Sequence, residues 1–176
     1  MKLSKGLVQV YTGNGKGKTT ASLGLVFRAL GHNFCIHVMQ FMKGQTIYGE
    51  LESAKKFADR LTIEQVGLPG FIKQGKQTPE DRELAQAALA RARTLVASGD
   101  YDLIVLDELN CAVAFDLVDL GDVKDMILCK PEHTELVITG RNAHPEIMEL
   151  ADLVTEMCEI KHYFNAGQPA RVGIES

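Results

Sequence analysis

No apolar run in this 176-residue sequence approaches the roughly 20 residues a membrane-spanning helix requires, which excludes that class. Cysteine is sparse. Cys35, Cys111, Cys129 and Cys158 are widely spaced and form no C-x-x-C pair, so reduced, partly buried thiols are expected rather than metal ligands. His32, His37, His133, His144 and His162 show no H-x-x-x-H spacing, which argues against a zinc site built by the protein alone. Neither sign of charge dominates: a net charge of -4 and a pI near 5.7 argue against a broad nucleic-acid surface and favour a small-molecule partner. The opening Met1-Lys2-Leu3-Ser4-Lys5-Gly6 lacks the apolar core of a signal peptide, so no export and a cytoplasmic location are expected. The length suits one domain spanning residues 1–176 with a core of its own, needing no disulfide or metal to fold.

What is present is an alternation of short β-branched runs with longer helical stretches, the pattern of an α/β protein with a mostly parallel sheet flanked by helices. Strands are predicted at Leu7–Tyr11, Cys35–Phe41, Leu61–Val66, Leu103–Leu106, Glu135–Thr139 and about Leu153–Glu159. Helices are predicted from the glycine-rich turn to Leu30, near Glu50–Phe57, from Thr78 to near Ser98, near Val123–Cys129 and at Pro145–Ala151. Thr78-Pro79-Glu80-Asp81 sets a capping hydroxyl, a proline at the first helical position and acids at the positive end of the helix dipole. Leu84, Ala88 and Leu95 are expected on the buried stripe of that helix.

The segment Thr12-Gly13-Asn14-Gly15-Lys16-Gly17-Lys18-Thr19-Thr20 joins a predicted strand to a predicted helix. Glycines there let successive N–H groups turn inward toward phosphate oxygens, Lys18 supplies a mobile positive charge, and Thr19 supplies a hydroxyl for Mg2+. The motif departs from G-x-x-x-x-G-K-[ST] in one place, since Thr12 stands where the first glycine belongs. Asp107 and Glu108 follow the run Leu103-Ile104-Val105-Leu106, placing acids at the end of a central strand, and adjacent residues of an extended segment point to opposite sides, so one of the two is expected to face the metal. Lys43 and Gln45, Asn110, and Thr139-Gly140-Arg141-Asn142 follow other strands, at the ends where parallel sheets bind ligands. Arg141 is either a phosphate contact or a solvated arginine, and Arg28 is open to a plain surface reading. The long loop at 67–77 carries Phe71 and Ile72, which either anchor it to the core or touch an apolar second substrate.

With these residues in place the sequence resembles the ATP:corrinoid adenosyltransferases. The likeness lies in T-G-N-G-K-G-K-T-T, R-A-x-G-H from Arg28, V-x-Q-F-x-K-G from Val38 to Gly44, L-D-E-L from Leu106 to Leu109, T-G-R from Thr139, and the tail Lys161-His162-x-Phe164-x-x-Gly167-x-x-Ala170-x-x-Gly173-Ile174-Glu175. The resemblance implies a RecA-like phosphate-loop fold, a homodimer, and transfer of the 5′-deoxyadenosyl group of ATP to the Co(I) of a reduced corrinoid with release of triphosphate, in adenosylcobalamin synthesis or salvage. It also implies a reductase that supplies the electron. By the same resemblance Gly13, Asn14, Gly15, Lys16, Gly17, Lys18, Thr19 and Thr20 hold the triphosphate, Thr19 with Glu108 or Asp107 supports Mg2+, Arg28 and Arg141 contact nucleotide, and Phe71 covers the corrinoid. Two departures stand out: the chain reaches its first strand without the amino-terminal covering segment common in the family, so closure is expected from elsewhere. It also has no tryptophan, and Lys73 stands where some members place one. The competing expectations are a phosphate-loop NTPase that cleaves the γ-phosphate and a corrinoid carrier without catalysis.

Overall fold

The inner strands are near-continuous runs of aliphatic residues, which suits a sheet covered on both faces. In the computed structural model, which describes residues 3–44, 48–70 and 75–175, six strands form one parallel sheet. They are β1 (Val8–Thr12), β2 (Ile36–Phe41), β3 (Leu61–Val66), β4 (Leu103–Asp107), β5 (Glu135–Thr139) and β6 (Leu153–Glu156), in the order β3-β2-β4-β5-β1-β6. The helices are α1 (Lys18–Leu30), α2 (Gly49–Ala54), α3 (Pro79–Ser98), α4 (Leu109–Ala114), α5 (Leu120–Leu128) and α6 (Pro145–Leu150).

Two clusters of buried side chains fix the layers. Val26 and Ala29 of α1 and Ala54 of α2 pack on Ile36, Val38, Leu103, Val105 and Val137. On the other face α3 to α6 pack on Val10, Met39, Ile104, Leu106 and Ile138. This confirms the expected α/β class. The stripe of α3 differs from the expected one: Ala85, Ala88, Leu89, Ala92 and Val96 are buried, while Leu84 and Leu95 sit at its margin. Small residues dominate because the helix lies close against the sheet, so bulkier leucines flank the contact rather than fill it. Its start is as expected, with the Thr78 hydroxyl accepting from the Asp81 amide and Asp81 accepting from the Thr78 amide.

The sixth strand ends at Glu156, three residues before the predicted limit, because Met157 leaves the ladder for the phosphate loop: its amide donates to the Thr12 carbonyl and its carbonyl accepts from the Gly15 amide at 2.6 Å. Helix α4 was not expected. Its six residues span under two turns, too few for a period to show, and it starts from Glu108 in the left-handed region at φ 63°. Asn110 therefore lies in a buried helical turn, not on an open loop.

Under α3, His37 is buried with its Nε2 3.4 Å from Glu64, its ring edge-on to Tyr101, and no hydrogen-bond partner for Nδ1 among the described residues. Arg91 holds Glu64 from the other side at 2.7 Å. Burial pushes the His37 pKa below its ordinary value; Glu64 opposes the shift and the charge of Arg91 adds to it. The unfolded chain therefore takes up a proton near pH 6.5 that the folded chain refuses, so stability present above that pH is lost as the pH falls through the window below it. In urea unfolding between pH 7.5 and 5, His37→Leu is expected to remove a slope of up to about 1.4 kcal/mol per pH unit. An unchanged slope would show that His37 titrates alike in both states.

Candidate functional site

Three neighbouring strand ends, together with the loop after β1, build one polar cluster at the carboxyl edge of the sheet. Asp107 ends β4 with no solvent exposure, and its Oδ1 accepts from the hydroxyls of Thr19 (2.8 Å) and Thr139 (2.7 Å). Its Oδ2 accepts from the Lys43 ammonium at 2.8 Å. Thr139 lies on β5 and accepts in turn from the Glu108 amide. Gln40 of β2 pairs in register with Asp107 and extends the polar row to Gln65 and Glu50 by amide hydrogen bonds. The residues of β4 and β5 before Asp107 and Thr139 are the apolar runs Leu103–Leu106 and Leu136–Ile138, so on these two strands the polar groups meet where the sheet meets the loops.

The phosphate loop runs over this edge. Gly13 (φ 93°) and Gly17 (φ 120°) take backbone conformations that side chains disfavour. Gly17 caps α1 without any side-chain hydrogen bond, and the first turn of α1 has no acid, which leaves the positive end of the helix dipole suited to an anion. Lys18 is buried and folds back to donate to the carbonyls of Gly13 (2.9 Å) and Gly15 (2.8 Å). Burial lowers its pKa, Glu108 and Asp107 oppose that, and Arg141 adds to it. Asn14, Lys16 and Thr20 of the same loop are exposed.

Thr12 has a structural reason for replacing the expected first glycine. Its buried hydroxyl accepts from the Ala143 amide at 3.2 Å, tying the phosphate loop to the loop after β5. That second loop is held again by Gly140, whose amide donates to the Tyr11 carbonyl and whose φ of 130° brings it against Asn110 and Cys111. Arg141 follows, exposed, with its guanidinium 3.4 Å from the Asn14 carbonyl. Cys111 accepts from the Arg141 amide, and burial followed by the charge of Glu108 pushes its thiol far above the ordinary range, so it is not a thiolate nucleophile.

The two acids separate as expected for neighbours. Asp107 joins Thr19, whereas Glu108 turns away in the left-handed region and acts on Lys18 and Cys111. The structure thus brings together Gly13 to Thr19, Asp107, Glu108 and Arg141. It does not bring Arg28 to them: that residue is exposed in the last turn of α1, roughly 15 Å of helix rise beyond Lys18. Phe71, Lys73 and Gln45 lie outside the described residues. Sequence reasoning missed the packing of 157–158 on the loop glycines, which leaves no signature because it is made by backbone. It also placed Lys43 at a strand end without assigning it to the site.

The oxygens of Thr19 and Asp107 fit Mg2+, a hard cation that takes one or two protein ligands and completes its shell with phosphate and water. Among the described residues no group of three His, Cys, Asp or Glu side chains could hold a metal by itself.

Comparison with known proteins bears on the whole chain. Residues 4–176 match the family model of ATP:corrinoid adenosyltransferase BtuR/CobO/CobP. The chain is 39% identical over 171 residues to the corrinoid adenosyltransferase of Pseudomonas aeruginosa, covering 97% of this chain and 84% of that protein. It is 37% identical over 171 residues to corrinoid adenosyltransferase CobA of Salmonella typhimurium, covering 97% and 86%. Among solved structures it is similar in fold to the flagellar accessory protein FlaH of Methanocaldococcus jannaschii, with a TM-score of 0.57 at 14% identity over 88% of this chain and 72% of that one.

Proposed function

The chain belongs to the ATP:corrinoid adenosyltransferase family, and from that premise we propose the roles its own residues take in the reaction. It transfers the 5′-deoxyadenosyl group of ATP to the Co(I) of a reduced corrinoid. The cobalt lone pair forms the Co–C bond to C5′, the C5′–O bond breaks with its electrons on triphosphate, and Co(I) becomes Co(III). No proton moves at the reacting atoms, so no general base is required. The demand falls on the charge that collects on the departing triphosphate.

That demand fits the site. Gly13 to Thr20 hold the triphosphate, with the Lys18 ammonium moving from the loop carbonyls to phosphate oxygens, and Arg141 beside Asn14 adds a second cation. Thr19 and Asp107 hold Mg2+, which when bound offsets part of the charge on the leaving group. Glu108 orients Lys18 through its charge rather than binding the metal. The observation that carries this assignment is the buried carboxylate of Asp107 shared between the hydroxyls of Thr19 and Thr139. An anaerobic assay with ATP, Mg2+ and chemically reduced cobalamin tests the function. Triphosphate and a light-sensitive Co–C product are expected; ADP and phosphate would establish the NTPase reading, and corrinoid binding without ATP consumption the carrier reading.

By family resemblance Phe71 covers the lower corrin face, where an apolar group leaves cobalt without an axial donor and eases its reduction by a partner reductase. Phe71→Ala is expected to weaken formation of four-coordinate Co(II) in spectra of enzyme, ATP and oxidised cobalamin. Unchanged spectra would remove Phe71 from that role. The single-domain, homodimeric, cytoplasmic reading belongs to the same proposal. Its supports are the one sheet with clusters on both faces, the lack of any described helix long and apolar enough to cross a membrane, and exposed apolar groups such as Ile160 and Val172 in the tail. Arg28 enters a nucleotide site, in this reading, only across such a homodimer.

A further inference from the structure

We infer that Lys43 is the exchangeable counter-ion of Asp107, holding the cation side of the carboxylate until metal and triphosphate arrive together and then moving onto the phosphates. The inference rests on the reading of Thr19 and Asp107 as the metal side. Oδ1 of Asp107 is taken by two hydroxyls, so Oδ2 is where a cation gains most, and that oxygen carries the Lys43 ammonium at 2.8 Å. Asp107 is 1% exposed in its side chain and Lys43 18%, making this the most enclosed Lys–carboxylate pair among the described residues. Burial pulls the Lys43 pKa down, but the charge of Asp107 and its hydrogen bond outweigh this, so the lysine stays cationic.

The backbone around Lys43 is fixed while its side chain is long. Met42 turns the chain out of β2 at φ 57°, and Gly44 lies so close to Gly67 and Leu68 that an added Cβ would meet their atoms at 2.4–2.5 Å. Any movement is therefore confined to the lysine methylenes, beside the ring of Tyr48, whose centroid is 5.1 Å from the ammonium. A divalent cation on Oδ2 would face an ammonium bound to the same oxygen, and the repulsion in this poorly hydrated corner forces one of them out. Glu50 and Glu108 are near enough for their charges to act on Lys43 whether or not metal is bound, so metal alone adds no oxygen for the displaced ammonium. Metal with triphosphate offers it several oxygens, so the two ligands bind with positive coupling and Lys43 is the positioning residue that creates it.

Binding of Mn2+, followed by the EPR signal of the free ion, tests this with and without inorganic tripolyphosphate and needs no corrinoid. Wild type is expected to bind Mn2+ weakly alone and more tightly with tripolyphosphate. Lys43→Met is expected to bind Mn2+ alone about tenfold or more tightly than wild type, with the coupling to tripolyphosphate reduced by a similar factor. Lys43→Gln serves if the first variant does not fold, with the same expectation. Mn2+ binding by these variants no tighter than wild type overturns the inference. Asp107→Asn separates the two layers: loss of Mn2+ binding there without a gain in the lysine variants sinks only the role of Lys43, whereas retention of binding removes Asp107 from the metal side and the inference with it.

Discussion

Lys18→Ala should lower the rate of Co–C bond formation by about two to three orders of magnitude. Lys18 is the one ammonium that the loop itself encloses, donating to two of its carbonyls, and those same atoms surround the place where an anion meets the start of α1. Because burial already disfavours its charge, phosphate oxygens are better partners for it than the neutral carbonyls it now uses. The loss should appear in the chemical step, since charge on triphosphate grows as the C5′–O bond breaks. Single-turnover measurements of the light-sensitive product, with reduced cobalamin in excess, report that step. A variant that turns over at the wild-type rate would show that Lys18 binds no leaving-group oxygen.

The second large effect concerns a residue without a side chain. A methyl group on Gly15 would meet the Met157 carbonyl oxygen at 2.7 Å and the Cys158 carbonyl oxygen at 2.8 Å, and these are backbone atoms that cannot turn aside. Gly15→Ala must therefore push the phosphate loop away from the segment after β6, breaking the bond from the Gly15 amide to Met157. A loss of about 1–3 kcal/mol of stability is expected in urea unfolding. Titration calorimetry with Mg-ATP should show a greater than tenfold loss of affinity. Gly24, on the exposed side of α1, has nothing within 4 Å of an added Cβ, so Gly24→Ala should instead stabilise by about 0.5–1 kcal/mol. Equal behaviour of the two alanine variants would mean that the loop tolerates displacement.

Much of this was open to inspection in the sequence, for reasons that differ by element. The strands β3 and β5 fall at their predicted limits because β-branched runs end at abrupt polar or glycine positions. The start of α3 was clear because capping is local chemistry written in Thr78-Pro79-Glu80-Asp81. The turn from β1 into α1 was clear because closely spaced glycines interrupt the chain between a β-branched run and a helical period. What stayed hidden depends on contacts between distant segments. That Asp107 and not Glu108 meets the Thr19 hydroxyl depends on Thr139, thirty-two positions along the chain from Asp107, and on the turn of Glu108 into α4. The end of β6 at Glu156 needed the loop that captures Met157. Thr12 could be seen as an exception but not explained until Ala143 was found on its hydroxyl.

The contact between Gly15 and residues 157–158 carries an unequal constraint on variation. It is made by carbonyl and amide groups that every residue except proline can supply, while the Cys158 side chain points into solvent. Position 158 can therefore drift in identity while Gly15 opposite it cannot, and a reporter dye attached at Cys158 would sit next to the glycine-rich loop on a position free to accept it.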